Sequence, residues 1–449
     1  MSKTSTPATF AESWALRRPE RLFFLWSLFC VALGFLLAFG ASRSVDRLVT
    51  AADLLPLGIY ALSLLAVHGT LVLARFRGDQ LLLGAVAFLS GLGLLVQYRM
   101  GAFAAGGSDN PLPYLIYPAG MLLLLSVCLM GMRGRYNQLA RYPWAWAVLS
   151  LLLIVTLLAT GQRFRGAVYG VGYITPTELL KLTVILFLAS YLVAQGRALA
   201  AWHHLVIPPL KRLLPLAGFW LVLSGLLLVQ RDLGMFVLLS VPMLILLWLG
   251  TGRVGYPLYG VAGAVGAGWL VLGVFAHGQR RIAAWQDPFS DPTGGSWQIL
   301  QGLTGMFSGG LWGEGFGQGN PEYTPIAESD FIYSVIAEEL GFLGSMLLVL
   351  FFLLLFQRGL RIASQTRSPF GWLLCIGLVA VLAVQTFLNI GGVTKLIPLT
   401  GITLPFISHG GSSLVIAFAS LGIILAVSDG EPKPPHRGRT RVHRRPARR

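Results

Sequence analysis

The chain has 449 residues, of which 55% are hydrophobic and 12% charged, with a mean hydropathy of +0.71. Soluble proteins carry about 25% charged residues, so a soluble enzyme is excluded and the length counts apolar spans rather than globular domains. The formal charge of +16 would point to nucleic acid only if the basic residues gathered away from those spans.

Residues 1–21 read as a cytoplasmic N-terminal segment. Runs of about 17 to 25 apolar residues then predict helices over 22–42, 54–74, 80–97, 113–132, 144–160 and 176–195. Six more are predicted over 213–229, 234–250, 256–276, 330–356, 371–391 and 404–427. Unpaired backbone is so costly in lipid that a helical bundle is the expected spanning form, and no alternating strands of a barrel are legible. The first span resembles a signal peptide but is longer and lacks a clear cleavage site, so a retained anchor is expected. Cys30, Cys128 and Cys375 are isolated in apolar runs, which speaks against a disulfide framework or thiolate metal site.

With the N-terminus inside, 24 Lys and Arg fall on the cytoplasmic side and 9 outside, Lys181 lying within a span. The positive-inside rule therefore puts both termini in the cytoplasm. Residues 428–449 read as a basic, disordered tail near anionic lipid, with nucleic-acid binding as the weaker alternative. The fold class is all-α: a polytopic helical membrane protein of about 10–12 transmembrane helices, residues 22–427, with one large extracytoplasmic loop over 277–329.

Ten of the 18 acidic residues fall between Glu178 and Glu339. Five lie in the loop from His277 to Ser329, and loops of that length are often functional. Ten glycines between Gly294 and Gly319 would let it fold closely over a substrate, or simply be flexible. GEGFGQG, from Gly313 to Gly319, follows no predicted strand and no Lys-Ser/Thr pair, so a nucleotide loop is rejected. Outside the cytoplasm there is no ATP, and an enzyme there must use an activated group such as a lipid diphosphate. Glu178 and Lys181, three apart on one helix, can pair structurally or contact substrate. Asp232 can cap the next span. Glu338 and Glu339 follow Asp330 on one predicted helix, and one of the two adjacent carboxylates must find a polar partner in the bundle.

Long motifs then fix a resemblance. They are PTELLK (Pro176–Lys181), QRDLG from Gln230, WQDPFSDPTGGSWQ (Trp285–Gln298), FSGGLWGEGFGQG from Phe307, SDFIYSVIAEELGFLG (Ser329–Gly344) and NIGGVTKLIPLTGITLPFISHGGSS (Asn389–Ser413). Together the chain resembles the SEDS family (shape, elongation, division and sporulation), RodA/FtsW-like, over roughly 160–427. The resemblance implies a peptidoglycan glycosyltransferase that polymerises lipid II at the outer face of the bacterial cytoplasmic membrane. It also implies a class B penicillin-binding protein as transpeptidase partner, membrane lipid as surroundings, and no nucleic acid. The family's catalytic Asp lies in a pattern like DPxGxGYQ, which the frame Asp291 to Gln298 fits with Ser296 and Trp297 replacing Gly and Tyr. Asp287-Pro288 is the competing frame and lacks the Gly and Gln spacing. Other departures are Arg231 for Pro, His409 for Tyr, Glu328-Ser329 for His-Thr, Gly166 after Arg165 where the family has Trp, and two spans beyond the usual ten.

On this reading Asp291 is the general base for the acceptor 4-hydroxyl, a role worth roughly 10²- to 10⁴-fold in rate. Asp-Pro also starts turns, which is the structural alternative. The leaving diphosphate calls for cations. Arg165, Lys181, Arg281 and Lys395 are the candidates, with Glu178 and Gln298 as further substrate-binding residues. A divalent cation, Mg²⁺ or Mn²⁺, shared with the diphosphate belongs to the same expectation, although no ligand cage is legible from spacing. His277 and His409 read as polar residues rather than metal ligands. The competing functions are a lipid-linked precursor flippase or transporter, and a non-catalytic scaffold for the penicillin-binding protein.

Overall fold

The computed structural model describes residues 9–41, 51–101, 112–164, 167–170, 175–202, 208–274 and 276–430. In chain order the helices are α1 (Phe10–Leu16), α2 (Arg18–Ala41), α3 (Leu55–Leu73), α4 (Leu81–Arg99), α5 (Leu112–Gly131), α6 (Pro143–Thr160), α7 (Pro176–Ala200) and α8 (Leu210–Gln230). They continue as α9 (Leu233–Thr251), α10 (Gly255–Val274), α11 (Ala276–Gln286), α12 (Trp297–Gly309), α13 (Ile332–Gln365), α14 (Pro369–Val393) and α15 (Gly411–Ser428). Among the described residues eleven of these are long and apolar enough to cross a membrane: α2 to α9 and α13 to α15. The helix α10 stands where the span 256–276 was expected. The protein is a polytopic helical membrane protein.

Burial sorts the spans into a core and a rim. α4, α7, α14 and α15 are enclosed on most sides, whereas α2, α6 and α8 turn much of their apolar surface outward, as helices facing lipid do. The segments that the charge rule placed in the cytoplasm meet at one end of the bundle. There Asp429 accepts the Arg77 N–H at 2.9 Å and the Arg133 N–H at 3.2 Å, and Arg358 pairs with Asp79. The acid-rich segments lie at the opposite end, the one the charge rule assigns to the outside.

Several expectations are corrected. The first span begins at Arg18 rather than residue 22, because Arg17 and Glu20 pair in complete burial and Glu20 also meets His68 Nδ1 at 2.6 Å. Ahead of it α1 forms on a capping box between Thr9 and Glu12. A short antiparallel hairpin, β1 (Gln162–Phe164) with β2 (Ala167–Gly170), stands where no strand was read. The last span starts at Gly411 rather than 404, since residues 404–410 form a loop held by Ser408. Arg165 and the basic tail 431–449 lie outside the described residues.

The loop 277–329 contains two helices, α11 and α12, rather than irregular chain. Asp330 precedes α13 instead of sharing it with Glu338 and Glu339, and α13 is broken at Gly341, where φ is +67°. The break releases two donors and two acceptors of the helical ladder, and the glycine-rich loop takes up all four. Glu314 and Gly315 N–H donate to the carbonyls of Glu338 and Glu339 at 3.0 and 3.1 Å. Phe342 and Leu343 N–H donate to the carbonyls of Gly310 and Leu311 at 2.9 and 3.2 Å. The exchange leaves the freed backbone satisfied, as burial demands.

Candidate active site at the outer end of the bundle

Pro176 opens α7 in its first turn, where a missing N–H costs nothing. That sets Glu178 in the same turn and Lys181 one turn deeper, and the two side chains pair. Lys181 Nζ also donates to Gln385 Oε1 of α14 at 3.0 Å, and Gln385 Nε2 donates to the Thr403 carbonyl at 2.9 Å. Thr403 and Ser413 share a further hydroxyl contact at 2.9 Å. An ammonium in the apolar bundle is thus neutralised by one carboxylate and tied through an amide to the loop before α15.

Asp232 is the N-cap of α9, its Oδ1 accepting the Met235 N–H at 2.8 Å. Burial raises its carboxyl above the usual range; the Met235 hydrogen bond opposes this, Glu178 adds to it, and Arg281 and Lys181 oppose it. These four charged side chains share one electrostatic neighbourhood. Arg281 on α11 donates through Nη1 to the carbonyls of Leu399 and Thr400 at 3.2 and 3.0 Å. Its other terminal nitrogen flanks Gly401 together with Asp330: a Cβ on that glycine would lie 3.9 Å from Arg281 Nη2 and 3.7 Å from Asp330 Oδ2. Burial also raises the Asp330 carboxyl, against the Ser329 hydroxyl and the Arg281 charge. The backbone around Asp330 is pinned by Asn389 Nδ2 to its carbonyl at 2.9 Å and by Ser408 Oγ to the Ser329 carbonyl at 2.6 Å.

Of the expected site residues, Glu178 and Lys181 are paired, and the charges of both and of Arg281 act on Asp232. Asp291 stands apart in the turn between α11 and α12. It is exposed; its Oδ2 accepts the Gly295 N–H at 2.7 Å, and its carbonyl faces the N–H groups of Gly294 and Ser296. The turn-forming reading of Asp291 is thus observed, and it leaves the carboxylate oriented and open. Asp287 makes the preceding turn, its Oδ1 accepting the Phe289 N–H at 3.1 Å. Gln298 lies half-buried in the first turn of α12. Lys395 has φ +60° and offers its carbonyl to Trp285 Nε1 at 3.0 Å, which fastens α11 just ahead of the Asp291 turn.

Sequence reasoning passed over Gln385, Asn389 and Arg99. Gln385 and Asn389 are polar, four apart and buried within an apolar helix, a pattern that marks function in membranes and was legible. Arg99 at the end of α4 reaches Glu339 at 3.1 Å and the Gly319 carbonyl at 2.9 Å, a pairing between distant segments that no spacing reveals. Glu338 and Glu339 both found partners. Glu338 Oε1 accepts the Asn320 N–H at 2.7 Å and Glu339 Oε2 the Gly317 N–H at 3.2 Å.

The cell cycle protein family model named for FtsW, RodA and SpoVE matches residues 79–432. The peptidoglycan glycosyltransferase RodA of Mycobacterium tuberculosis is 35% identical over 400 residues, covering 84% of each chain. A solved structure described as the structural coordination of polymerization and crosslinking by a peptidoglycan synthase complex is similar at a TM-score of 0.62 and 27% identity, over 78% of this chain and 98% of that one. The Thermus thermophilus rod shape determining protein RodA is similar at a TM-score of 0.56 and 27% identity, over 78% and 97%. With a family model that matches residues 79–432 and a relative 35% identical over 84% of the chain, this multi-pass membrane chain belongs to the FtsW/RodA/SpoVE family.

Proposed function

We propose that this peptidoglycan glycosyltransferase polymerises lipid II at the outer face of the bacterial cytoplasmic membrane, with Asp291 as the general base. The acceptor 4-hydroxyl is a weak nucleophile, and its proton passes to the Asp291 carboxylate as the oxygen bonds to the donor's anomeric carbon. The bond from that carbon to the lipid diphosphate breaks, and the diphosphate leaves carrying the charge. Arg281, held by two carbonyls with Nη2 beside Gly401, is the cation best prepared to receive it. Lys181, Lys395 and Arg165 are its companions, with Glu178 orienting Lys181 and Gln298 lining the acceptor side. Among the described residues no three His, Cys, Asp or Glu converge, so a divalent ion here would rest on the diphosphate rather than in a protein cage.

One observation carries the assignment of the base: Asp291 is exposed, and its carboxylate is fixed by a backbone N–H of its own turn. A carboxylate held in this way is free to take a proton from a sugar docked against it. The partner is a class B penicillin-binding protein supplying the crosslinking step, a reading supported by the similar synthase complex, whose description joins the two activities.

A flippase reading draws on the buried Glu178–Lys181 pair, which a transport path would also use. Purified protein and partner, supplied with lipid II, decide between the readings. The enzyme makes glycan strands and Asp291→Asn makes none while still folding and binding its partner. A flippase moves lipid II between leaflets whatever stands at 291, and a scaffold supports its partner equally well with Asn there.

A further inference from the structure

Helix α12 has two unlike faces. Ile299, Gly302 and Gly309 lie buried against α13, where a Cβ on Gly302 would meet Phe331 at 2.6 Å and one on Gly309 would meet the Ala337 carbonyl at 2.1 Å. The small residues allow close docking. The opposite face, at helical spacing, carries the exposed Trp297 and Phe307 with the half-buried Leu300 and Leu303 and the hydroxyls of Thr304 and Ser308 between them, and Leu311 and Trp312 continue it beyond the helix end. Trp297 and Leu311 are exposed, Phe307 is 89% exposed and Trp312 77%. A face like this cannot stand in water without cost.

What covers it follows from its continuity with α13. Leu311 accepts the Leu343 N–H and Gly310 the Phe342 N–H, so the aromatic ridge joins α13 just past its break. From there Phe342, Leu343, Met346, Leu347 and Leu350 form an exposed apolar face along a membrane span. That face meets acyl chains, and the ridge is its upward extension at the outer end. Aromatic residues at that level anchor in the interface, and an amphipathic helix of this kind lies in the headgroup and acyl boundary.

We propose that α12 is an interfacial helix, with Phe307, Leu311 and Trp312 seated in the outer leaflet. Asp291 stands six residues ahead of Trp297, so the anchored helix holds its turn at the depth where the headgroup of a lipid-linked substrate lies. This last consequence rests on the reading of Asp291 as the base; the placement of α12 does not.

The test measures depth without catalysis. In a Cys30→Ser background, whose two remaining cysteines are buried, Phe307→Cys, Trp312→Cys and the exposed control Glu322→Cys each receive an environment-sensitive fluorophore. The full chain is reconstituted in phosphatidylethanolamine and phosphatidylglycerol vesicles, with or without brominated acyl chains. Brominated lipid should quench positions 307 and 312 by about twofold or more and spare 322, while aqueous iodide does the reverse. Iodide quenching 307 as strongly as 322, with no effect of bromine, would overturn the proposal. Shielding of 307 that appears only when the crosslinking partner is added would also overturn it, and would make the ridge a protein interface. As a second reading, Phe307→Ser with Trp312→Ser should slow polymerisation in vesicles more than in detergent while the thermal midpoint holds; an equal loss in both media contradicts the anchor.

Discussion

Gly313 and Gly341 meet backbone to backbone: a Cβ on Gly341 would fall 2.2 Å from Gly313 N, and one on Gly313 would fall 2.2 Å from the Glu339 carbonyl oxygen. Both have positive φ, +84° and +67° respectively. Their contact is what lets the glycine-rich loop replace the helical bonds that α13 gives up.

Alanine at either position is therefore expected to destabilise the outer loop. Holding an L-residue at such a positive-φ backbone costs roughly 1–3 kcal/mol, and the overlap with backbone adds to it. Gly263→Ala, where the added carbon meets nothing, is the control. Thermal unfolding in detergent should show a clear drop in midpoint for Gly341→Ala and Gly313→Ala and almost none for Gly263→Ala.

Arg99 and Glu339 form an ion pair at 3.1 Å without the alignment of a hydrogen bond, the carboxylate almost fully buried. Removing the cation leaves a buried charge, which in well-enclosed pairs costs about 3–5 kcal/mol; the partial exposure of Arg99 puts this case at the lower end. Arg99→Ala should therefore destabilise more than the double variant Arg99→Ala/Glu339→Gln. Additive losses in a double-mutant cycle would show that the two do not interact.

The Asp291 turn offers a graded test of carboxylate placement. A Cβ on Gly294 would sit 2.4 Å from Asp291 Oδ2, whereas one on Gly295 would lie 3.5 Å away, an ordinary contact. Gly294→Ala should push the carboxylate out of position and lower the polymerisation rate by about tenfold or more, since an ångström of misplacement is costly. Gly295→Ala should stay near wild type. Rates measured at saturating lipid II decide it.

Asp330 makes a pH prediction. Burial raises its carboxyl above the ordinary value of about 4, so the folded chain holds this proton more tightly than the unfolded one. The stability it contributes is complete below the unfolded value and is lost as pH rises through the folded one. Asp330→Asn has no such proton to lose. The thermal midpoint of the variant should gain on wild type as pH climbs from about 4 through the raised value, and a constant difference across that range would contradict the burial account.

Much of the bundle was legible because a membrane span needs only a continuous apolar run, and runs such as 234–250 and 371–391 coincide with α9 and α14 to within a few residues. The outer loop was not, because glycine reads the same whether a segment is mobile or packed. Gly302, Gly309 and Gly313 turned out to be points of close approach. The break in α13 was hidden for a related reason: Gly341 interrupts a helix whose apolar pattern runs on past it. Glu178 and Lys181 could be paired from their spacing, but their link to Gln385, and the approach of both Arg281 and Asp330 to Gly401, depend on long-range packing between α7, α11, α14 and the loop after it.

Polymerisation by the proposed route requires one carboxylate to take a proton from the acceptor sugar. Its most direct test is the single-turnover polymerisation rate of Asp291→Asn in complex with the crosslinking partner, measured beside its affinity for lipid II. Loss of general-base catalysis predicts a rate lowered by about 10² to 10⁴ with affinity little changed. A wild-type rate in a folded Asp291→Asn complex would contradict it.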